Sequence, residues 1–131
     1  MTTPNKFQEI YKKYPEQFLK NVINCEEGWF PMIDEMCSTI QTYLSFDVTA
    51  RATPITFTKI KEKYGVLSIS YEGGDPVIER IIKYTQKISY KTCEYCGDEG
   101  DLYCSTKWRN WSKTKTLCQK HAIELFYYCS H

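Results

Sequence analysis

Residues 93–122 read CEYCGDEGDLYCSTKWRNWSKTKTLCQKHA, and the placing of cysteine and histidine in that stretch decides what the C-terminal part of the chain builds. Cys93-x-x-Cys96 opens it and Cys118-x-x-His121 closes it. Two residues apart, the members of each pair can aim at one point from a single tight turn. The intervening segment, 97–117, is short enough for one hairpin to bring the two pairs together. Three thiolates and one imidazole are the soft and borderline donors that select zinc, and four of them fill a tetrahedral shell. The expectation is a structural Zn²⁺ held by Cys93, Cys96, Cys118 and His121.

The flanking residues give the site its local shape. Gly97, next to Cys96, suits the turn that points backbone amides at sulfur. The run His121-Ala122-Ile123-Glu124-Leu125-Phe126 reads as a helix, with Cys118 and His121 at its first turn. A knuckle, a hairpin and a helix whose start supplies the last two ligands resemble the treble-clef class of zinc finger over residues 91–127. Cys104 competes for a ligand position and could replace one of the four. Cys129 and His131 are spaced poorly for that role. Cys104, Cys25 and Cys37 are expected as buried thiols, because a free cysteine behaves as a small hydrophobe.

Working outward, the fold class is α+β. Phe7, Ile10, Tyr11 and Tyr14 recur at helical spacing. After Pro15 the set Phe18, Leu19, Val22 and Ile23 continues the stripe, which predicts two short helices or one kinked at the proline. Gly28-Trp29-Phe30-Pro31 reads as a break followed by a helix with Pro31 in its first turn, whose apolar face runs through Ile33, Met36, Cys37, Ile40, Tyr43 and Leu44. Residues 55–58 and 66–71 alternate and are rich in β-branched and aromatic side chains, and they flank Lys61-Glu62-Lys63-Tyr64-Gly65, where a turn can use the glycine, a β-hairpin signal. Gly73-Gly74 ends it. Asp75 caps and Pro76 opens a further helix with Ile78, Ile81, Ile82, Thr85 and Ile88 inward. The domain reading is an α(α)ββα core over 1–90 and a zinc module over 91–131, packed as one composite unit, since 131 residues bury one modest core rather than two.

Composition narrows the function classes. The chain is 42% hydrophobic and 25% charged, with no low-complexity tract, which places it among folded globular proteins. The first fifteen residues are polar and amphipathic, unlike a secretory signal, and no stretch has the length of a membrane span, so a cytoplasmic protein without membrane contact is expected. Seven cysteines, an odd number, fit metal ligands and reduced thiols better than a disulfide framework. Catalysis is disfavoured because the chain has two histidines, His121 and His131, and general acid–base chemistry most often recruits that residue. The His-Asn-His type of nuclease needs histidines beyond the metal ligands. A nucleobase deaminase needs a His-x-Glu that does not occur here. A cysteine nucleophile lacks a free histidine partner.

The net charge of +1 predicts no polyanionic partner by itself, yet residues 102–123 contain no acid and carry Lys107, Arg109, Lys113, Lys115 and Lys120 interleaved with Tyr103, Trp108 and Trp111. Bases stack on aromatic rings and guanidinium planes, and lysines meet phosphates. Lys107, Trp108, Arg109, Trp111, Lys113 and Lys115 are therefore the candidate ligand-binding set, for a nucleotide or nucleic acid. The competing assignment puts both tryptophans in a small core between hairpin and helix. A second basic surface, Lys59, Lys61, Lys63 and Tyr64, marks the first hairpin.

A longer likeness spans 28–122. Gly28-Trp29 before a helix, KEKYG at 61–65 with Leu67 after it, GGDPVIERII at 73–82, Cys93-Glu94-x-Cys96-Gly97 and Leu117-Cys118-x-x-His121-Ala122 resemble a group of small proteins found in phage and bacterial genomes. That group has no established activity, so the likeness transfers no catalytic residue. It implies the architecture and a phage-type origin, with stoichiometric action in the host cytoplasm: sequestration of a signalling nucleotide of host defence or, alternatively, inhibition of a host protein. A homo-oligomer is the further expectation, since so short a chain can build a nucleotide pocket between subunits.

Overall fold

A computed structural model describes residues 6–105, 114–125 and 127–129. It is a mixed α+β protein with four α-helices and two three-stranded sheets among those residues. The order is α1 (Gln8–Lys13), β1 (Ile23–Asn24), α2 (Phe30–Phe46), β2 (Thr56–Lys63), β3 (Val66–Glu72), α3 (Pro76–Ser89), β4 (Asp101–Ser105), β5 (Thr114–Leu117), α4 (Gln119–Glu124) and β6 (Tyr127–Cys129).

The first sheet runs β1-β2-β3. Its hairpin, β2 to β3, closes with Lys63 opposite Val66, and both intervening residues have positive φ, 53° at Tyr64 and 88° at Gly65. Such a two-residue turn matches the twist of the strands it joins. The α3 helix packs on β3 and against α2, and both helices share one core with the sheet. Pro31 falls in the first turn of α2. Asp75 caps α3 by accepting the backbone N–H groups of Val77 and Ile78, both at 3.0 Å. Trp29, Phe7, Ile33, Ile40, Phe57, Ile60, Leu67 and Ile78 form the centre of this core and are nearly or wholly excluded from solvent.

The helix expected after Pro15 does not form. Beyond α1 the chain turns at 15–17, where Gln17 N–H donates to the Tyr14 carbonyl at 3.0 Å, and then follows the free edge of β2: Phe57 N–H donates to the Gln17 carbonyl at 2.9 Å and Ile60 N–H to that of Val22 at 3.0 Å. Ile23 and Asn24 then pair with Ile60 and Lys61 as a parallel strand. The apolar spacing of Phe18, Val22 and Ile23 was shared by both conformations, and tertiary pairing decided between them. Phe18 and Ile23 are buried in either case, while Leu19 is left 80% exposed. Ile81 and Ile88, expected inside, are half-buried at the margin of the core.

The second sheet runs β5-β4-β6. Asp101 pairs with Leu117 and Cys104 with Thr114, while β6, a strand the sequence pattern did not announce, pairs with the other edge of β4. Its small core holds Cys93, Leu117 and Ala122, with Tyr95, Tyr103, Cys118 and Tyr127 packed around them.

Candidate metal centre

The knuckle begins where α3 ends. Thr92 and Glu99 form an isolated antiparallel bridge. Gly100 N–H donates to the Lys91 carbonyl at 2.8 Å, Cys93 N–H to that of Asp98 at 2.7 Å and Gly97 N–H to that of Cys93 at 2.9 Å. Gly97 adopts φ +84°, a conformation that costs a side-chain-bearing residue about 1–2 kcal/mol. The turn therefore depends on glycine to place Cys93 and Cys96 on one side of the loop.

The other pair comes from the junction of β5 and α4. Cys118 is the residue before the first turn of α4, with its carbonyl accepting from Ala122 N–H at 2.9 Å, and His121 lies within that turn. Pairing of Asp101 with Leu117 holds this junction against the knuckle. The Cys93, Cys96, Cys118 and His121 donor atoms all lie within 4.8 Å of one another. Cys96 Sγ is 3.7 Å from Cys118 Sγ, and His121 Nδ1 is 3.7 Å from Cys93 Sγ and 3.1 Å from Cys118 Sγ. Cys93 is buried, Cys118 and His121 are half-buried and Cys96 is exposed. The His121 ring stacks on Tyr95, with centroids 5.7 Å apart, which fixes its plane.

The electrostatics of the cluster are compatible with a bound cation. Burial opposes ionisation of Cys93, but backbone N–H groups of Cys118, Cys96 and Tyr95 outweigh it and bring that thiol below its ordinary value. The Cys96 thiol is pushed up to about 12, first by lost hydration and then by proton sharing with Cys93 and Cys118. Thiolates this crowded resist ionising together unless a positive ion joins them. The arrangement can hold a metal ion through four protein ligands.

Cys104, the competing ligand, sits elsewhere. It is buried on β4 with its sulfur 3.8 Å from Thr114 Oγ1 and outside the four-residue cluster. Cys37 is fully buried in the larger core and Cys25 is half-buried at its margin, both with thiols raised far above the ordinary range by burial first.

Behind the knuckle lies a cluster of charges that the sequence did not single out. Glu94, 2% exposed, receives Lys115 Nζ on Oε1 at 3.1 Å and Glu26 N–H on Oε2 at 3.1 Å. Lys115 Nζ also lies 3.6 Å from Glu62. Burial raises the Glu94 carboxyl above its usual range despite the opposing Lys115 charge. Desolvation works against the Lys115 ammonium, yet Glu94 and Glu62 together hold its pKa above the ordinary value. Lys115 is thus engaged by two carboxylates inside the fold, a structural task beside the ligand contact expected of it. The other five candidate ligand residues, Lys107, Trp108, Arg109, Trp111 and Lys113, lie outside the described residues, as does His131.

The knuckle is also joined to the larger core. Gly28 N–H donates to the Glu94 carbonyl at 2.7 Å, Trp29 Nε1–H to that of Thr92 at 2.9 Å, and Thr116 Oγ1 to that of Gly65 at 2.6 Å. A Cβ on Gly28 would stand 2.4 Å from the carbonyl oxygens of both Cys93 and Glu94. Gly28 is thus set by the close approach of two backbones. No helix among the described residues is long and apolar enough to cross a membrane.

Comparison with protein-family models, curated proteins and solved structures finds no match. The likeness to small phage and bacterial proteins gains no support from them.

Proposed function

We propose that Cys93, Cys96, Cys118 and His121 bind one structural Zn²⁺, and that the ion stabilises a treble-clef-like module built on residues 91–131 and joined to the 1–90 core as one composite unit. The observation that carries this reading is the convergence of four donors within 4.8 Å. Zinc–sulfur and zinc–nitrogen bonds of about 2.3 and 2.0 Å in a tetrahedron give sulfur–sulfur edges near 3.8 Å and sulfur–nitrogen edges near 3.5 Å. The Cys96–Cys118 sulfur–sulfur separation of 3.7 Å and the sulfur–nitrogen separations of 3.7 and 3.1 Å from His121 to Cys93 and Cys118 lie within about 0.4 Å of those lengths. With four protein ligands no position remains for a reactive water, so the ion holds shape and activates nothing.

The module's task in this reading is binding. The connection from β4 to β5, residues 106–113, carries Lys107, Trp108, Arg109, Trp111 and Lys113, an aromatic and basic set suited to a phosphate-bearing ligand, either a signalling nucleotide or a nucleic-acid strand. The resemblance to small phage and bacterial proteins supports a stoichiometric role in a host cytoplasm. The test is binding of the zinc-loaded protein to a fluorescent single-stranded oligonucleotide and to cyclic dinucleotides across a salt series. Affinity that falls steeply with salt, and falls again in Arg109→Ala and Trp111→Ala, supports phosphate recognition. Absence of binding to every such ligand at low salt refutes it and leaves inhibition of a host protein as the reading to pursue.

A further inference from the structure

The α3 helix carries two apolar stripes: the core buries one fully and covers only part of the other, where Ile81 and Ile88 are half-buried and Val77 and Tyr84 stay exposed. Ile78, Ile82, Thr85 and Ser89 face inward and are buried. Beside them run Val77, Ile81, Tyr84 and Ile88, at spacings of four, three and four residues. That is the repeat by which one helix forms a seam against another. Val77 is 38% and Tyr84 67% exposed, and the stripe borders a groove of about 350 Å³ between α3 and α2, where Met32 and Met36 also line it.

Two charges line the same groove, Glu35 on α2 and Arg80 on α3. Both are exposed, and among the described residues neither forms an ion pair; the neighbouring pairs are Lys13 with Asp34 and Lys83 with Glu79. An acid on one wall and a base on the other make the face complementary to itself. We infer that the α2–α3 face is a homodimer interface, with a second copy of this chain as its occupant, in which a two-fold axis sets each Glu35 against the other copy's Arg80 and the two Val77–Ile88 seams against each other. This inference is independent of the metal centre and of any phosphate-bearing ligand.

Sedimentation velocity of the full zinc-loaded chain, from about 1 to 200 µM, tests it by direct reading of mass. The expected result is a concentration-dependent dimer. Glu35→Arg and Arg80→Glu, each placing like charges across the axis, are expected to weaken dimerisation at least tenfold, and Glu35→Arg/Arg80→Glu to restore it to within about threefold of the wild type. Both substitutions are on exposed side chains, and circular dichroism checks that the fold persists in all three variants. A wild-type chain that stays monomeric throughout, a dimer indifferent to the single charge reversals, or a double variant no tighter than the singles would each overturn the inference.

Discussion

Replacing Gly28 with alanine should separate the metal knuckle from the core. The added Cβ would stand 2.4 Å from the carbonyl oxygens of Cys93 and Glu94 and 2.5 Å from the Glu94 carbonyl carbon, whereas carbon–oxygen contacts in proteins settle near 3.3–3.6 Å. The backbones must therefore part by about 1 Å. The Gly28 N–H bond to Glu94, now 2.7 Å, would then stretch beyond hydrogen-bonding range, and the Glu26 bond to the Glu94 side chain would be strained with it. Steric displacement of a packed segment costs about 1–3 kcal/mol, and a buried polar group left unpaired costs a similar amount. The expected loss is about 3–5 kcal/mol, or a fall in melting temperature on the order of 10 °C. Urea unfolding followed by tryptophan fluorescence measures the first quantity, and competition with a chromophoric chelator measures zinc affinity, expected to weaken about tenfold as the ligands of the knuckle shift. A loss below about 1 kcal/mol with unchanged zinc affinity would refute the claim that the close approach at Gly28 positions the site.

Thr116→Val keeps the side-chain shape but leaves the Gly65 carbonyl without its 2.6 Å donor, so urea unfolding should show a loss of about 1–3 kcal/mol. Asp75 is held below its usual 3.8, first by the Tyr43 hydroxyl and also by the Val77 and Ile78 N–H groups. Its stabilising contribution is therefore fully present above pH 3.8 and lost as pH falls through the lower folded value. Asp75→Asn should flatten the acid limb of the stability–pH curve in that window, and an unchanged limb would count against the capping geometry. Cys118→Ser should abolish stoichiometric zinc binding, while Cys104→Ser, outside the cluster, should keep it; the reverse pattern in a chelator titration would move the ligand assignment to Cys104.

The parts of this structure that were readable in advance are those governed by local rules. Paired cysteine and histidine spacings, Asp75-Pro76 at a helix start and Gly65 between alternating strands each fix their neighbours within a few residues, although β2 runs on to Lys63 through residues read from the sequence as part of the turn. The segment 16–24 escaped because its apolar residues suit either a helical stripe or an extended edge, and only the free edge of β2, more than thirty residues away in sequence, selects the strand. β6 is three residues long, too short to show a period. The Glu94–Lys115–Glu62 cluster was hidden for a different reason. Glu94 sits between two ligands, where an acid reads as a solvated knuckle residue, and its burial follows from the docking of Gly28 and Glu26, a contact across 68 positions. The same docking was visible only as a glycine before a tryptophan.

The central claim is that four side chains bind one zinc ion with no place left for water. Native mass spectrometry of the protein purified without chelator, compared with its denatured mass, gives the stoichiometry, and X-ray absorption at the zinc edge of the same sample gives the shell. The account predicts one zinc per chain, surrounded by three sulfurs near 2.3 Å and one nitrogen near 2.0 Å. A chain that carries no zinc and takes up none when it is supplied, or a shell that includes an oxygen ligand in place of one of the four, would contradict it.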